Sequence, residues 1–259
     1  MKRSDLICEN GVINNKEYSG FVHNGTLYRT KFSEIIIDSK TSELYGKAEG
    51  RYITVFCNNI NYSECLCELL ESFIEGKRIL VAGLGNERIC SDSLGAKTLR
   101  FIPATAHLAF SDAFKELNMR EVYVIETSVT GKTGMESIDQ IGCIAEKVNA
   151  DMVIVIDSLA CSETERLCNT IQITDAGISP GSGVGNDRKE ISRKTLGRKI
   201  VAIGVPTVID YKTENSSFMV TPRNIDIIIN EFSKKIGKCI SRVLNPSLSD
   251  DEISSLIIH

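Results

Sequence analysis

Apolar and polar positions change their spacing along this chain near residue 61. Before that point, short β-like runs such as SEIIID and RYITVFC are separated by Gly and Asn, which predicts a small antiparallel section. Helical spacing follows over 61–76, 93–100 and 134–148. Continuous apolar runs between and after these segments predict buried strands: RILVAG (78–83), EVYVIE (121–126), DMVIVID (151–157), NTIQIT (169–174) and KIVAIGV (199–205).

Alternation of helices with fully apolar strands is typical of an α/β fold. We therefore predict a mostly parallel central sheet with helices on both faces and a small N-terminal β section. Thr221-Pro222 is predicted to start a long C-terminal helix, with Thr as N-cap and Pro in the first turn. No repeat, low-complexity tract or linker interrupts the pattern, so residues 1–259 are predicted to form a single domain.

Composition narrows the classes of protein that fit this pattern. Of 259 residues, 42% are apolar and 25% charged, which is typical of a globular protein. The net charge is −4 and charges of both signs are interspersed, so the sequence shows no basic patch of the kind that binds nucleic acid. Neither a membrane span nor the apolar core of a signal peptide is visible, so a cytoplasmic location without membrane contact is predicted.

Cysteine and histidine spacing gives no sign of a metal site or cofactor. The nine cysteines are scattered without a CxxC pair, and the three histidines lie far apart. We predict reduced thiols, no metal ligands and no cofactor. Cys90 and Cys161 lie near candidate acids in sequence but have no nearby histidine, so they are interpreted as wall residues. His107 is either a core or surface histidine or a ligand.

Two aspartates follow predicted strands and are the candidate catalytic residues. Asp157 ends the run DMVIVID, and Asp92 comes shortly after the strand that ends in GLGN (83–86). Strand carboxyl ends form the ligand-binding edge of a parallel sheet, so neighbouring strands would bring these carboxylates together. Such a pair can share a proton, one acid activating water while the other protonates a leaving group. The structural alternative for Asp92 is a helix cap.

A glycine-rich loop follows the second acid. TDAGISPGSGVGN (174–186) holds four glycines and a proline in thirteen residues, which predicts an unusual backbone shape. It fits either a phosphate cradle or the wall of a peptide cleft. The nucleotide interpretation is weak elsewhere, because Arg88 stands at the third glycine position of a GxGxxG that GLGN would begin, and no P-loop occurs.

Ten segments in order resemble the germination protease family of spore-forming bacteria. The most specific is NTIQITDAGISPGSGVGNDRK (169–189); the others include RSDLICE (3–9), VAGLGN (81–86), SDSLG (91–95), IDSLA (156–160), TLGRKIVAIGVPTVID (195–210) and MVTPRNID (219–226). The resemblance implies a phosphorylase/hydrolase-like α/β fold and an atypical aspartic-type endopeptidase. The family's two essential aspartates fall on Asp92 and Asp157. The glycine loop then becomes the wall of a peptide cleft, and the predicted substrate-binding residues are Gly85, Asn86, Gly181, Ser182, Gly183 and Asn186.

The same resemblance implies partners and processing. The expected substrates are small acid-soluble spore proteins, cut next to an acidic residue in the spore core, and the expected assembly is a homotetramer. Ser4-Asp5-Leu6 matches the family's propeptide site, so Asp5–Leu6 is the predicted cleavage point of a zymogen with a short leader. The family's long insertion is replaced by YKTENSSF (211–218). Two alternatives stay open: a non-proteolytic peptide-binding relative, and a metal-dependent processing peptidase that uses an acid and His107.

Overall fold

A computed structural model of the chain describes residues 4–7, 22–185, 188–212 and 217–257. Its strands are β1 Val22–Leu27, β2 Thr30–Ile37, β3 Gly50–Phe56, β4 Arg78–Gly83, β5 Glu121–Glu126, β6 Met152–Cys161, β7 Thr170–Thr174, β8 Lys199–Lys212 and β9 Ser217–Val220. Its α-helices are α1 Ser39–Tyr45, α2 Tyr62–Glu71, α3 Leu94–Leu99, α4 Asp112–Glu116, α5 Thr130–Thr133, α6 Ser137–Lys147, α7 Arg193–Leu196, α8 Ile225–Leu244 and α9 Asp250–Leu256. Short 3₁₀ turns cover Cys90–Asp92, Ala106–Leu108 and Ser182–Val184.

The nine strands of the described segments join in one mixed sheet. The order is β1-β2-β3-β7-β8-β6-β4-β5, and β9 pairs with β8. The predicted α/β class is confirmed, and so are the strands at β4 to β8. The sheet is mixed rather than mostly parallel as predicted: parallel pairing is confined to β8-β6-β4-β5, because NTIQIT (β7) runs antiparallel to both β3 and β8. The predicted N-terminal β section joins the same sheet through β3.

Apolar side chains fill both faces of the sheet because they alternate along each strand. On one face, Ile79 and Val81 of β4 pack in a cluster with α2 and with apolar residues of α8, among them Phe232. On the other face, Leu80 and Ala82 pack with α6 through Ile141. Helices therefore cover the sheet on both sides, as the fully apolar strands indicate.

The long C-terminal helix begins later than predicted. Its N-cap position is Asn224, and its first residue is Ile225. The Thr221 hydroxyl instead donates a hydrogen bond to the Thr207 carbonyl at 2.8 Å, so the prediction of Thr221 as N-cap is wrong. This bond fixes the chain between β9 and α8 onto β8. Within the described segments, no helix combines the length and the apolar character needed to cross a bilayer.

Candidate active site

Two neighbouring strands of unequal length create a step in the sheet. β4 ends at Gly83, which lies opposite Ile156, whereas β6 continues to Cys161 and stays paired with β8. Asp157 is therefore the first β6 residue beyond the end of β4. The prediction that Asp157 ends its own strand is wrong, because β8 is long enough to continue the ladder to Ile209. The neighbouring strand is the one that stops, and this leaves the Asp157 carboxylate at the edge where β4 ends.

Asp92 reaches the same edge from the turn that follows β4. Its carboxylate and its carbonyl both accept hydrogen bonds from the Asn86 backbone N–H, at 2.8 and 3.0 Å. Ser93, not Asp92, occupies the N-cap position of α3, so the helix-cap alternative for Asp92 is wrong. The buried Thr207 hydroxyl donates to the Ser91 carbonyl at 2.6 Å. The 3₁₀ turn that carries Asp92 is thus attached to β8.

Gly85 permits the close approach of the turn to Asp92. Its φ is +98°, in the region that residues with a side chain rarely adopt. A Cβ atom at this position would lie 2.1 Å from the Asp92 carbonyl oxygen and 2.9 Å from Oδ1. Glycine at position 85 is therefore explained by the backbone geometry around Asp92.

Both acids line one cavity of about 360 Å³. Asp157 is 5% exposed, and its Oδ1 accepts a hydrogen bond from the Ser158 N–H at 2.8 Å. The rest of the wall comes from the turn after β4, the end of β6, the glycine-rich loop and the β8–β9 arm. Among its residues are Asp5, Leu84, Gly85, Val129, Thr130, Ala160, Pro180, Gly181, Arg188, Val208 and Met219.

The cavity raises the pKa of both carboxyls. Burial raises the pKa of Asp157 well above its usual value, and the charges of Asp92 and then Asp5 raise it further against the opposing Ser158 hydrogen bond. Burial also raises the pKa of Asp92, whereas the Asn86 N–H stabilises its anion. Two interacting acids of this kind titrate as a pair and retain a proton more readily than isolated carboxyls.

A third acid lies in the same cavity. The Asp5 carboxylate accepts hydrogen bonds from the Ala160 N–H at 2.8 Å and from the Ser182 hydroxyl at 2.7 Å. The Asp5 N–H donates to the Ala160 carbonyl at 3.0 Å. Leu6 and Ile7 are each 1% exposed. Of the two predicted processing residues, Asp5 thus lines the cavity of the candidate catalytic acids, and Leu6 is buried in the neighbouring apolar cluster.

The glycine-rich loop also forms part of this wall. Gly181 has a left-handed φ of +77° and lines the cavity. Ser182 and Gly183 follow in a 3₁₀ turn, where both approach Asp5. Asn186, a predicted substrate-binding residue, lies outside the described residues. Asn86 was also predicted to bind substrate. Its backbone N–H, rather than its side chain, contacts Asp92.

Three side chains that the sequence analysis discussed as possible site residues lie outside the cavity. His107 occupies the 3₁₀ turn Ala106–Leu108 and does not line the cavity. Cys90 is exposed and Cys161 is buried, and neither lines the cavity. Across the described ranges, no group of three or more His, Cys, Asp or Glu side chains is arranged to hold a metal ion.

Other contributors to the site carry no sequence signal of their own. Ala160 acts through its backbone, and Thr207 acts through a contact 116 residues distant. Arg188 lines the cavity while its guanidinium lies 3.8 Å from Glu136. Arg188 lies in the family-like segment 169–189, next to the glycine loop, and this position is the signal that could have indicated it.

Fold and cavity together define an α/β protein with a cleft that holds two carboxyl groups of raised pKa. The chain belongs to the germination protease family, because a family profile with that description matches residues 9–217. It is 35% identical to the germination protease of Oceanobacillus iheyensis over 86% of this chain and 64% of that protein. The corresponding protein of Priestia megaterium is 38% identical over 80% of this chain and 58% of its own length.

The chain spans less than two thirds of the length of these relatives. Among solved structures, a hydrogenase maturation protease from Thermococcus kodakarensis aligns with a TM-score of 0.42 and 18% identity. That alignment covers 68% of this chain and 98% of the other.

Proposed function

We propose that this protein is an endopeptidase of spore germination that uses Asp92 and Asp157 to hydrolyse a peptide bond. The observation that supports the proposal is the cavity in which both carboxyls lie with raised pKa values. Family membership supports the reaction class, and the cavity supplies the groups for it. No metal or cofactor is part of the proposal.

The environments of the two acids differ, which supports different roles. Asp157 is the more deeply buried acid and has its pKa raised further, so it is the better holder of the shared proton. Asp92 receives the Asn86 N–H, which favours its anion. We assign Asp92 as the general base that takes a proton from water. Asp157 is then the general acid that protonates the leaving amide nitrogen.

The proposed substrates are small acid-soluble spore proteins, and the proposed location is the cytoplasm of the spore core. A homotetrameric assembly and zymogen processing at Asp5–Leu6 belong to the same proposal. They rest on the resemblance of the sequence to the family and, for processing, on the position of Asp5 in the cleft. Residues 1–259 are proposed to act as a single peptidase domain.

The deciding experiment is incubation of the purified chain with a small acid-soluble spore protein, followed by mass mapping of the fragments. We expect cleavage next to acidic residues. Asp92→Asn and Asp157→Asn should each lower the rate by about 10²-fold or more, the range for loss of a general acid or base. Asp112→Asn is the matched control, because its side chain is 95% exposed. Equal rates for all three variants would disprove the paired-acid mechanism.

A binding protein without protease activity is the second candidate. The observation that favours it is the position of residues 4–7, where Asp5 and Ile7 form hydrogen bonds with Ala160 and Gln172 beside the cleft. In the same incubation, this candidate predicts an intact spore protein that nevertheless co-purifies with the folded chain.

A further inference from the structure

In the described sheet, the ladder between β4 and β6 ends at Ile156, so the rest of β6 has no β4 partner on that side. Alternate residues of a strand direct their N–H and C=O groups toward opposite neighbours. The Ile156 carbonyl accepts the Leu84 N–H at 2.8 Å on the β4 side. Two and four residues later, Ser158 and Ala160 therefore face the same side. β4 has ended there, so a segment other than β4 can bind this side of Ala160.

In this structure, residues 4–7 occupy that edge. The Asp5 N–H donates to the Ala160 carbonyl, and the Ala160 N–H donates to the Asp5 carboxylate. The Ser182 hydroxyl donates to the other carboxylate oxygen at 2.7 Å. Each oxygen of this carboxylate therefore has its own donor. Hydrogen bonds to an ionised group are stronger than those between neutral groups.

Gly183 provides the space for the acidic side chain. A Cβ atom at this position would lie 2.3 Å from Asp5 Oδ2 and 2.7 Å from the Ala160 Cβ. Its φ is not in the left-handed region, so the backbone alone does not demand glycine here. Close approach of the carboxylate is what leaves no room for a side chain.

The residues after Asp5 lie in apolar surroundings. Leu6 packs in a cluster with Leu159, Cys161 and Ile209. The Ile7 N–H donates to the buried Gln172 side chain at 3.0 Å. An acid followed by two aliphatic residues thus meets an anion-accepting pocket and then apolar packing.

We infer that the Ala160 edge, Ser182 and Gly183 form a binding subsite for an acidic side chain of an extended peptide. Asp5 of the chain itself fills this subsite in the structure. A peptide that binds from outside must therefore displace residues 4–7 and supply its own carboxylate. The inference rests on the proposed function, since the peptide is a segment of its protein substrate.

A binding assay on the full chain tests the subsite without requiring cleavage. Asp5→Ala removes the internal carboxylate. The probe is a fluorescein-labelled copy of residues 2–9, KRSDLICE, and its comparison peptide carries Ala in place of the Asp. By fluorescence anisotropy, we expect the Asp peptide to bind the Asp5→Ala chain at least about tenfold more tightly than the Ala peptide.

Variants of the pocket assign that preference to named residues. Adding Ser182→Ala or Gly183→Ala to the Asp5→Ala chain should reduce the preference to about twofold or less. Ser179→Ala is the matched control in the same loop, because the Asp5 carboxylate is bound by Ser182 and Ala160. Equal binding of both peptides to the Asp5→Ala chain overturns the subsite, and so does a preference that survives Ser182→Ala.

A second measurement applies if the Asp5→Ala chain does not fold. In the chain with Asp5 intact, Ser182→Ala should speed hydrogen exchange of the Asp5 and Ile7 amides by about tenfold, relative to Ser179→Ala. Unchanged exchange overturns the inference. Preferential binding without any cleavage of a spore protein would contradict the proposed protease but support the subsite. Cleavage of a spore protein without a binding preference for the Asp peptide would support the proposed protease but contradict the subsite.

Discussion

Asp157 is buried in a position where an ionised carboxylate is costly. Asp92 and Asp5 carry charges that disfavour its anion, whereas the Ser158 N–H stabilises the anion through a hydrogen bond. The protein therefore loses stability by keeping this acid, which is common for residues that function requires. Stability and activity should respond in opposite directions when the acid is replaced.

Replacing Asp157 should stabilise the fold at neutral pH. The folded-state pKa is raised, so the folded protein binds more protons than the unfolded chain above pH ~3.9. The contribution of this carboxyl to stability is then greatest below that pH and is lost as pH rises through the folded-state pKa. Asp157→Asn keeps an oxygen to accept the Ser158 N–H and cannot ionise. We expect its melting temperature at pH 7.5 to rise by about 2–4 °C, for about 1 kcal/mol.

Calorimetry from pH 4 to 8 checks this expectation. The gain of the Asp157→Asn chain over the unsubstituted chain should shrink toward pH 4, where the native carboxyl is protonated. A gain that grows toward acid pH would contradict the raised pKa.

Gly85 is a second residue whose replacement has a defined outcome. Gly85→Ala combines a positive φ with a Cβ 2.1 Å from the Asp92 carbonyl, so we expect a loss of about 2 kcal/mol or more in urea unfolding. Gly131→Ala in α5 is the matched control, since a Cβ there meets nothing within 4 Å. Its stability should stay equal or rise by about 0.5–1 kcal/mol. Equal effects of the two variants would contradict the described turn.

At the level of elements, the 3₁₀ turn of Asp92 depends on its attachment to β8. The Thr207 hydroxyl binds the Ser91 carbonyl, and the Thr207 carbonyl accepts the Thr221 hydroxyl. One β8 residue thus connects the turn of the candidate catalytic acid with the segment before α8. This makes Thr207 a positioning residue rather than a catalytic one.

Thr207→Val should shift the pH profile of cleavage as well as lower stability. The change leaves the Ser91 carbonyl without this donor, which costs about 1–3 kcal/mol in urea unfolding. Because the Asp92 turn loosens, we expect the acidic limb of the kcat profile to move. Thr98→Val is the control: its hydroxyl binds the Leu94 carbonyl within α3, so stability should fall without a shift of that limb. Identical profiles for both variants would remove the positioning role.

The elements themselves were largely predictable, and their ends were not. Buried strands such as RILVAG and KIVAIGV were identified because continuous apolar runs leave little alternative. The start of α8 was predicted wrongly because the Thr221 hydroxyl found a partner on β8 instead of capping the helix. The extension of β6 beyond Asp157 was missed because SLAC (158–161) shows no strand-like alternation of apolar and polar residues. This segment is a strand because it pairs with β8.

For the whole molecule, sequence reasoning predicted both acids and the nearby Gly85 and Gly181, but not the long-range contacts that assemble the cleft. Asp92 and Asp157 were predicted from strand ends and from family resemblance, and the structure places both in one cavity. Asp5 contacts Ala160 and Ser182 across 155 and 177 residues, and no local pattern encodes such contacts. The strand order was equally beyond reach, because β7 inserts between β3 and β8.

The β8–β9 arm bears on the proposed assembly. Tyr211, Phe218, Met219 and Val220 on this arm are 42–59% exposed. We expect light scattering after size exclusion to give about four times the chain mass of 28.6 kDa. Tyr211→Ser with Phe218→Ser should lower that mass, whereas Ile60→Ser, at an isolated position 82% exposed, should not. A mass of one chain for the unsubstituted protein would disprove the tetramer.

The step between β4 and β6 also has a consequence for redesign. If β4 extended as far as β6, its backbone would pair with Ala160. No backbone group of Ala160 would then remain for a bound peptide. The proposed function and the proposed subsite therefore both depend on the early end of β4 at Gly83. Lengthening β4 by a few β-branched residues past Gly83 is expected to raise the stability of the protein. It is also expected to close the cleft, so that the acids remain but no peptide can reach them.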